Sequence, residues 1–128
     1  MSLHRFYSAQ VLDHFLNPRQ AGSLLPSDTG VSWAQAGSVE TGGVLGFQVR
    51  VDRTGHITDT RFRAYGCGAT IAAGSWVADW LLGKSLEQAA RLKAAPIAQA
   101  LDLPPVKMHC ALLAEEALSR AVGHFTEP

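Results

Sequence analysis

Apolar residues recur at helical spacing near the start of the chain. Tyr7, Val11, Leu12 and Phe15 fall on one face of a helix running from Ser8 to Leu16, with Ser8 as its N-cap. Asn17-Pro18 ends that helix, because the residue before a proline is driven out of the helical region. A loop rich in Gly, Ser and Pro is expected from Ala21 to Gly30. The period then changes to two. In Val44 to Val51, Leu45, Phe47, Val49 and Val51 face one way and Gln48 and Arg50 the other, which predicts a half-buried strand. After a turn around Asp52-Arg53-Thr54-Gly55, Phe62 and Ala64 alternate with Arg61 and Arg63 in Ile57 to Tyr65, completing a hairpin. Val31 to Ser38 is expected as a third strand.

The helical period returns in the second half. Ile71, Ala72, Ser75, Trp76, Asp79 and Trp80 share a helical spacing that Gly83 ends. Ser85-Leu86-Glu87-Gln88 fits a capping box that opens a short helix, which Pro96 is expected to close. Beyond Pro104-Pro105, Cys110, Leu113, Ala114, Ala117, Leu118, Ala121, Val122 and Phe125 form one apolar stripe, with Glu115, Glu116 and Arg120 off it. Strands with one polar face need a covering layer on the other. The expected fold is therefore α+β, a three-stranded antiparallel sheet packed against helices, in a single domain over 1–128.

Composition narrows the function classes. Of 128 residues, 47% are hydrophobic and 17% charged, enough for a buried core and too apolar for a disordered chain. Eleven basic residues balance eleven acidic ones, which argues against a nucleic-acid binder or a polybasic membrane binder. No apolar run reaches the roughly 18 residues of a membrane span, and Met1-Ser2-Leu3-His4-Arg5 is not the start of a secretory signal. A cytoplasmic protein is expected.

Two cysteines, Cys67 and Cys110, carry the candidate chemistry. In a reducing compartment such a pair fills core, forms a redox couple or binds metal. Cys67 stands between glycines at a predicted strand-to-helix turn, where Gly66 and Gly68 permit positive φ and the helix start favours thiolate. Cys110 lies on the apolar stripe, in the first turn of the last helix and beside His109; thiolate and imidazole are preferred ligands of zinc and iron–sulfur centres. His4, His14, His56 and His124 are expected to be solvated. No paired carboxylates, phosphate loop or dinucleotide fingerprint suggest an enzyme.

Three stretches carry a resemblance. Tyr7-Ser8, Val11-Leu12-Asp13-His14-Phe15, Asn17-Pro18-Arg19 and Gly22 resemble the opening of the IscU/NifU N-terminal family of iron–sulfur cluster assembly scaffolds. Ala64 to Ala69 resembles its second cysteine motif. Leu103-Pro104-Pro105-Val106-Lys107-Met108-His109-Cys110, followed by Leu113-Ala114-Glu115-Glu116-Ala117, resembles its third. The family's first motif, Cys-Gly-Asp, registers on Thr41-Gly42-Gly43, so a cysteine and an aspartate are missing. A threonine hydroxyl is a poor soft-metal ligand and glycine has no side chain to offer.

The resemblance implies a non-enzymatic scaffold with an altered site made of Cys67, His109 and Cys110, and Glu40 is a candidate fourth ligand. Its cargo would be a [2Fe–2S] cluster or zinc. Sulfur would come as persulfide from a cysteine desulfurase onto Cys110, chosen for its helix-start position. Leu103, Pro104, Pro105, Val106 and Lys107, expected as a pre-extended segment, would be offered to an Hsp70-type chaperone and its co-chaperone, and recipient apo-proteins would take the cluster. The alternatives are a paralogue that binds partners without a cluster, a structural zinc domain, and a redox protein using a Cys67–Cys110 disulfide.

Overall fold

In the computed structural model, which describes residues 7–24 and 30–126, the alternating stretches form an antiparallel meander. Its strands are β1 (Val31–Ser38), β2 (Gly43–Val51) and β3 (Ile57–Tyr65), and the expected third strand has the bounds read from the sequence. Ala34, Ala36, Leu45, Phe47, Val49 and Phe62 are buried on one face, whereas Trp33, Gln35, Arg63 and Tyr65 are exposed on the other. The sheet is covered on one side, as the alternation requires. A register shift between Arg50 and Val51 sets Val51 opposite Ile57 and leaves Val51 half-buried.

Helices α2 (Gly68–Leu81) and α5 (Met108–Thr126) cover the sheet. Helix α1 (Ala9–Leu16) packs on α2, and α3 (Leu86–Ala90) and α4 (Ala94–Leu101) pack against α5. Helix α2 departs from the expected stripe. Its buried side is made of small residues, Ala72, Ala73, Gly74, Ser75 and Ala78 with Val77, because it is wedged among the sheet, α1 and α5. A Cβ on Gly74 would lie 2.5 Å from Phe62 Cδ2 and 2.8 Å from Leu45 Cδ1. Trp76 and Trp80 sit half-buried toward the outside, their rings stacked at 6.3 Å, with the Lys84 ammonium 4.8 Å over Trp80. Two buried hydroxyls tie sheet to helices: Thr60 donates to the Ala78 carbonyl at 2.7 Å, and Ser32 to the Ala121 carbonyl at 2.8 Å.

Three local readings are tested by these contacts. The capping box is present, with the Ser85 hydroxyl accepting from Gln88 N–H at 3.1 Å and Gln88 Oε1 from Ser85 N–H at 2.9 Å. Pro96 does not close that helix; α3 ends at Ala90, and Pro96 lies in the first turn of α4, where its missing N–H would have no helical partner anyway. Helix α4 was not expected. Its first amide, Ala94 N–H, is capped by Glu115 of α5 at 2.8 Å, a partner remote in sequence.

His14 is not solvated either. Its Nδ1 lies 2.8 Å from the hydroxyl of fully buried Ser75, which also accepts from Arg19 N–H at 2.8 Å. Burial, then the Arg19 charge, holds the imidazole below its ordinary pKa. His56 and His124 are exposed as expected, and His4 and the middle of the 21–30 loop lie outside the described residues. The Ser8 hydroxyl caps α1 by accepting from Val11 N–H at 3.1 Å and donates to the Leu101 carbonyl, joining α1 to the end of α4. Among the described residues, no helix is long and apolar enough to cross a membrane.

Gly74→Ala is expected to destabilise the fold by about 1–3 kcal/mol, the cost of overpacking a filled core. Urea denaturation would show a lower midpoint with an unchanged slope.

Candidate metal centre

Strand register assembles the site. Val44 pairs with both Gly37 and Tyr65, so the β1–β2 turn over 39–42 lies at the same end of the sheet as the Gly66-Cys67 turn into α2. Helix α5 starts there as well. Gly66 takes φ +149, and a Cβ on it would press on Thr70 and on the Gly42 carbonyl at 3.1–3.2 Å. The positive φ expected at this turn is thus found at Gly66. Gly68 serves differently: the space of its missing side chain is filled by the Tyr7 ring, 3.3 Å from where a Cβ would be.

Cys67 is the N-cap of α2, and Cys110 is the third residue of α5. Their sulfurs stand 3.8 Å apart, and His109 Nε2 lies 3.5 Å from the Cys110 sulfur. Two sulfurs on one tetrahedral metal at about 2.3 Å are about 3.8 Å apart, and a sulfur and an imidazole nitrogen about 3.6 Å. Both spacings therefore match edges of a tetrahedron. Among the described residues, no three Cys, His, Asp or Glu side chains are already gathered around one position. The thiol pair is the formed part of the site. An open cavity of about 570 Å³, lined by Thr41, Gly43, Cys67, Thr70, Lys107 and His109 among others, gives access to it.

The two thiols differ. Burial pushes the Cys67 thiol up, but hydrogen bonds from the Thr70 hydroxyl and amide, Cys110 and the Ala69 amide outweigh it and bring its pKa to about 7. Cys110 has no exposed surface, and burial, with the nearby Cys67 charge opposing the Thr70 hydrogen bond, pushes it to about 11. Of the two, Cys67 and not Cys110 is the more readily ionised thiol. The helix-start argument is outweighed because Cys110 lies on the buried side of the first turn of α5, while its neighbour His109 is exposed. Lys107 is lowered by burial but raised overall by Cys67, Tyr7 and Cys110, so it stays a cation on the cavity wall.

Other expected residues fall as follows. Thr41 lines the cavity, yet its hydroxyl is engaged with Ser38, donating to the carbonyl at 3.0 Å and accepting from the amide at 3.3 Å. Gly43 lies on the wall, and a Cβ there would make only ordinary contacts of 3.4–3.8 Å. Glu40 is exposed at the turn and is not among the residues lining the cavity, so the structure does not bring it to the thiols. Leu103 and Pro104 are half-buried, Val106 is 74% exposed, and the segment is extended only up to Pro104, since Lys107 N–H donates to the Pro104 carbonyl at 2.8 Å. Thr70 was missed. Its buried hydroxyl lies 3.6 Å from the Cys67 sulfur and 3.5 Å from that of Cys110, and its sequence signal is a hydroxyl three residues into a helix capped by cysteine.

Thiolate is the reactive form, so alkylation of metal-free protein by iodoacetamide should rise as pH climbs through about 7. The Cys67 rate at pH 8 should be about tenfold that at pH 6. Cys110 should stay unmodified until the protein unfolds, as peptide mass mapping would show. Thr70→Val should move the Cys67 midpoint upward.

The profile of the NifU-like N terminal domain matches residues 6–128. The chain is 44% identical over 119 residues to the iron-sulfur cluster assembly scaffold protein IscU of Haemophilus influenzae, covering 93% of this chain and 94% of that one. It is 43% identical over 123 residues to iron-sulfur cluster assembly protein 2 of Arabidopsis thaliana, covering 96% and 76%. A solved structure of a nitrogen-fixing NifU-like protein (N-terminal) from Brucella abortus has the same fold, with a TM-score of 0.72 at 17% identity over 93% of each chain. The chain therefore belongs to the NifU-like N terminal domain family, that of the IscU iron–sulfur cluster assembly scaffolds, which are not enzymes.

Proposed function

We propose that the chain acts as one scaffold domain over 1–128, holding a [2Fe–2S] cluster or a zinc ion at Cys67, Cys110 and His109. The observation that supports this most is the thiol pair 3.8 Å apart, reached from an open cavity. Thr41 and Gly43 stand where the family carries cysteine and aspartate, which leaves the set one strong soft ligand short. A vacant position exposes iron to water, so the isolated protein holds one zinc more readily than a stable cluster. Zinc tolerates an open fourth position.

Sulfur arriving as a persulfide on a cysteine desulfurase is taken by the Cys67 thiolate, the more ionised and more accessible of the pair. The thiolate attacks the outer sulfur, the donor's S–S bond breaks, and the donor cysteine leaves as thiolate. Cys67 becomes the persulfide. Leu103 to Lys107 docks an Hsp70-type chaperone with its co-chaperone, and recipient apo-proteins accept the cargo. All of this takes place in the cytoplasm, without nucleic acid or membrane. A second reading, a partner-binding module without cargo, is favoured by one observation: the Thr41 side chain is committed to its own turn.

Anaerobic reconstitution with iron and sulfide, alongside zinc, should give about one zinc per chain and substoichiometric cluster by metal analysis and visible absorption. Thr41→Cys with Gly43→Asp should raise cluster occupancy, since Gly43 has room for a side chain and does not need a positive φ. Cys67→Ala should abolish metal binding in either background. A stoichiometric, air-stable cluster on the unmodified chain would overturn the ranking, and unchanged metal content in Cys67→Ala would overturn the site. No metal in any background would leave the partner-binding reading.

A peptide spanning Leu103 to Lys107 should bind the cognate Hsp70, and Lys107→Ala should weaken it. Equal affinity for a scrambled peptide would remove the docking assignment.

A further inference from the structure

We propose that the cavity beside Cys67 admits a small thiol from outside the chain, whose sulfur completes the coordination of a metal held by Cys67 and Cys110. This rests on the scaffold reading above. The chain supplies two thiolates and, beside them, the His109 imidazole, which leaves a tetrahedral set one ligand short. Thr41 offers no substitute, because its hydroxyl is spent on Ser38. Gly43 puts no side chain onto the same wall, and the cavity of about 570 Å³ is within the ordinary range for small-molecule sites.

Charge and softness select the ligand. None of the lining residues is a carboxylate, and Lys107 is on the wall. A divalent ion on two thiolates is neutral, so a third thiolate makes the centre anionic and Lys107 is its counter-ion. A site already built of thiolates prefers a further soft donor over water or an oxygen ligand. A second copy of the chain is a poor source of that sulfur. Its Cys110 is fully buried, and its Cys67 lies half-buried at a cavity of its own, so a small thiol enters with less obstruction than a second copy does.

Cobalt(II) is the probe, because thiolate-to-cobalt charge transfer in the near ultraviolet scales with the number of bound thiolates. The full chain is loaded anaerobically, with a phosphine as reductant, and titrated with 2-mercaptoethanol; ethylene glycol is the control. The band should start at the two-thiolate level and rise about 1.5-fold with the thiol, but not with the glycol. Thr41→Cys should start at the higher level and gain nothing from added thiol. Lys107→Gln, with its fold checked by circular dichroism, should bind the thiol about fivefold more weakly, the scale of one partly screened charge pair. A cysteine-containing tetrapeptide in place of 2-mercaptoethanol tells the two sources apart: tighter binding points to a cysteine on a partner, weaker binding to a free thiol. A two-thiolate band that added thiol leaves unchanged would overturn this inference and leave the scaffold site standing. Absence of any initial band would overturn both. An equal rise in Thr41→Cys would show that the vacancy is not on the Thr41 side, and would overturn it as well.

Discussion

The closeness of α2 to the sheet decides where the two thiols meet. Gly74 faces Phe62 and Leu45 with no room for a methyl group, and alanines on either side keep the helix low. A helix carried even an ångström higher would move its N-cap, Cys67, away from the first turn of α5. The spacing of 3.8 Å is therefore set by core packing remote from the cavity. The buried hydroxyls of Thr60 and Ser32 act in the same sense, fastening α2 and α5 to the sheet by one hydrogen bond each. The site has few polar contacts of its own, and it takes its geometry from the layers beneath it.

Within that frame burial and the amides at a helix start separate the behaviour of two chemically identical groups. Thr70 touches both sulfurs, but only Cys67 also faces the Ala69 and Thr70 amides at the start of α2 and the open cavity. Cys110 has the same neighbour and no solvent, so burial dominates it. The pair is thus poised as one thiolate and one thiol. On the proposed scaffold reading, the thiolate is what an incoming electrophile or metal would meet first, and the buried thiol would give up its proton to a cation that repays the desolvation.

The strands, the capping box and the residues around Cys67 and Cys110 were legible because their signals are local: alternation, a Ser-x-x-Gln pattern, glycines beside a cysteine. What was misread depends on partners distant in sequence. Helix α4 is capped by Glu115, which no window around Pro96 contains. His14 is drawn from solvent by Ser75, a residue on another helix. The wedge role of Ala72, Gly74 and Ala78 was hidden because a helix enclosed on several sides has no wide polar face to set off its buried side. The burial of Cys110 was hidden for a related reason: a helix-start position says nothing about how deeply the next layer covers it.

The turn over 39–42 shows why the family's first cysteine could be lost without the fold. Its conformation is held by the Ser38–Thr41 hydrogen bonds, by Gly42 N–H donating to the Val39 carbonyl at 3.1 Å, and by positive φ at Gly42. None of these requires a metal. A ligand on an independently stable turn can be exchanged at small cost in stability, whereas Cys67 and Cys110 stand where helices begin and where Gly66 and Thr70 are fitted around them. Divergence at Thr41 and Gly43 with both buried-side thiols in place is the outcome that this unequal coupling of ligand and fold would produce. On the proposed scaffold reading, it changes the number of ligands that the chain offers and leaves the thiol pair in place.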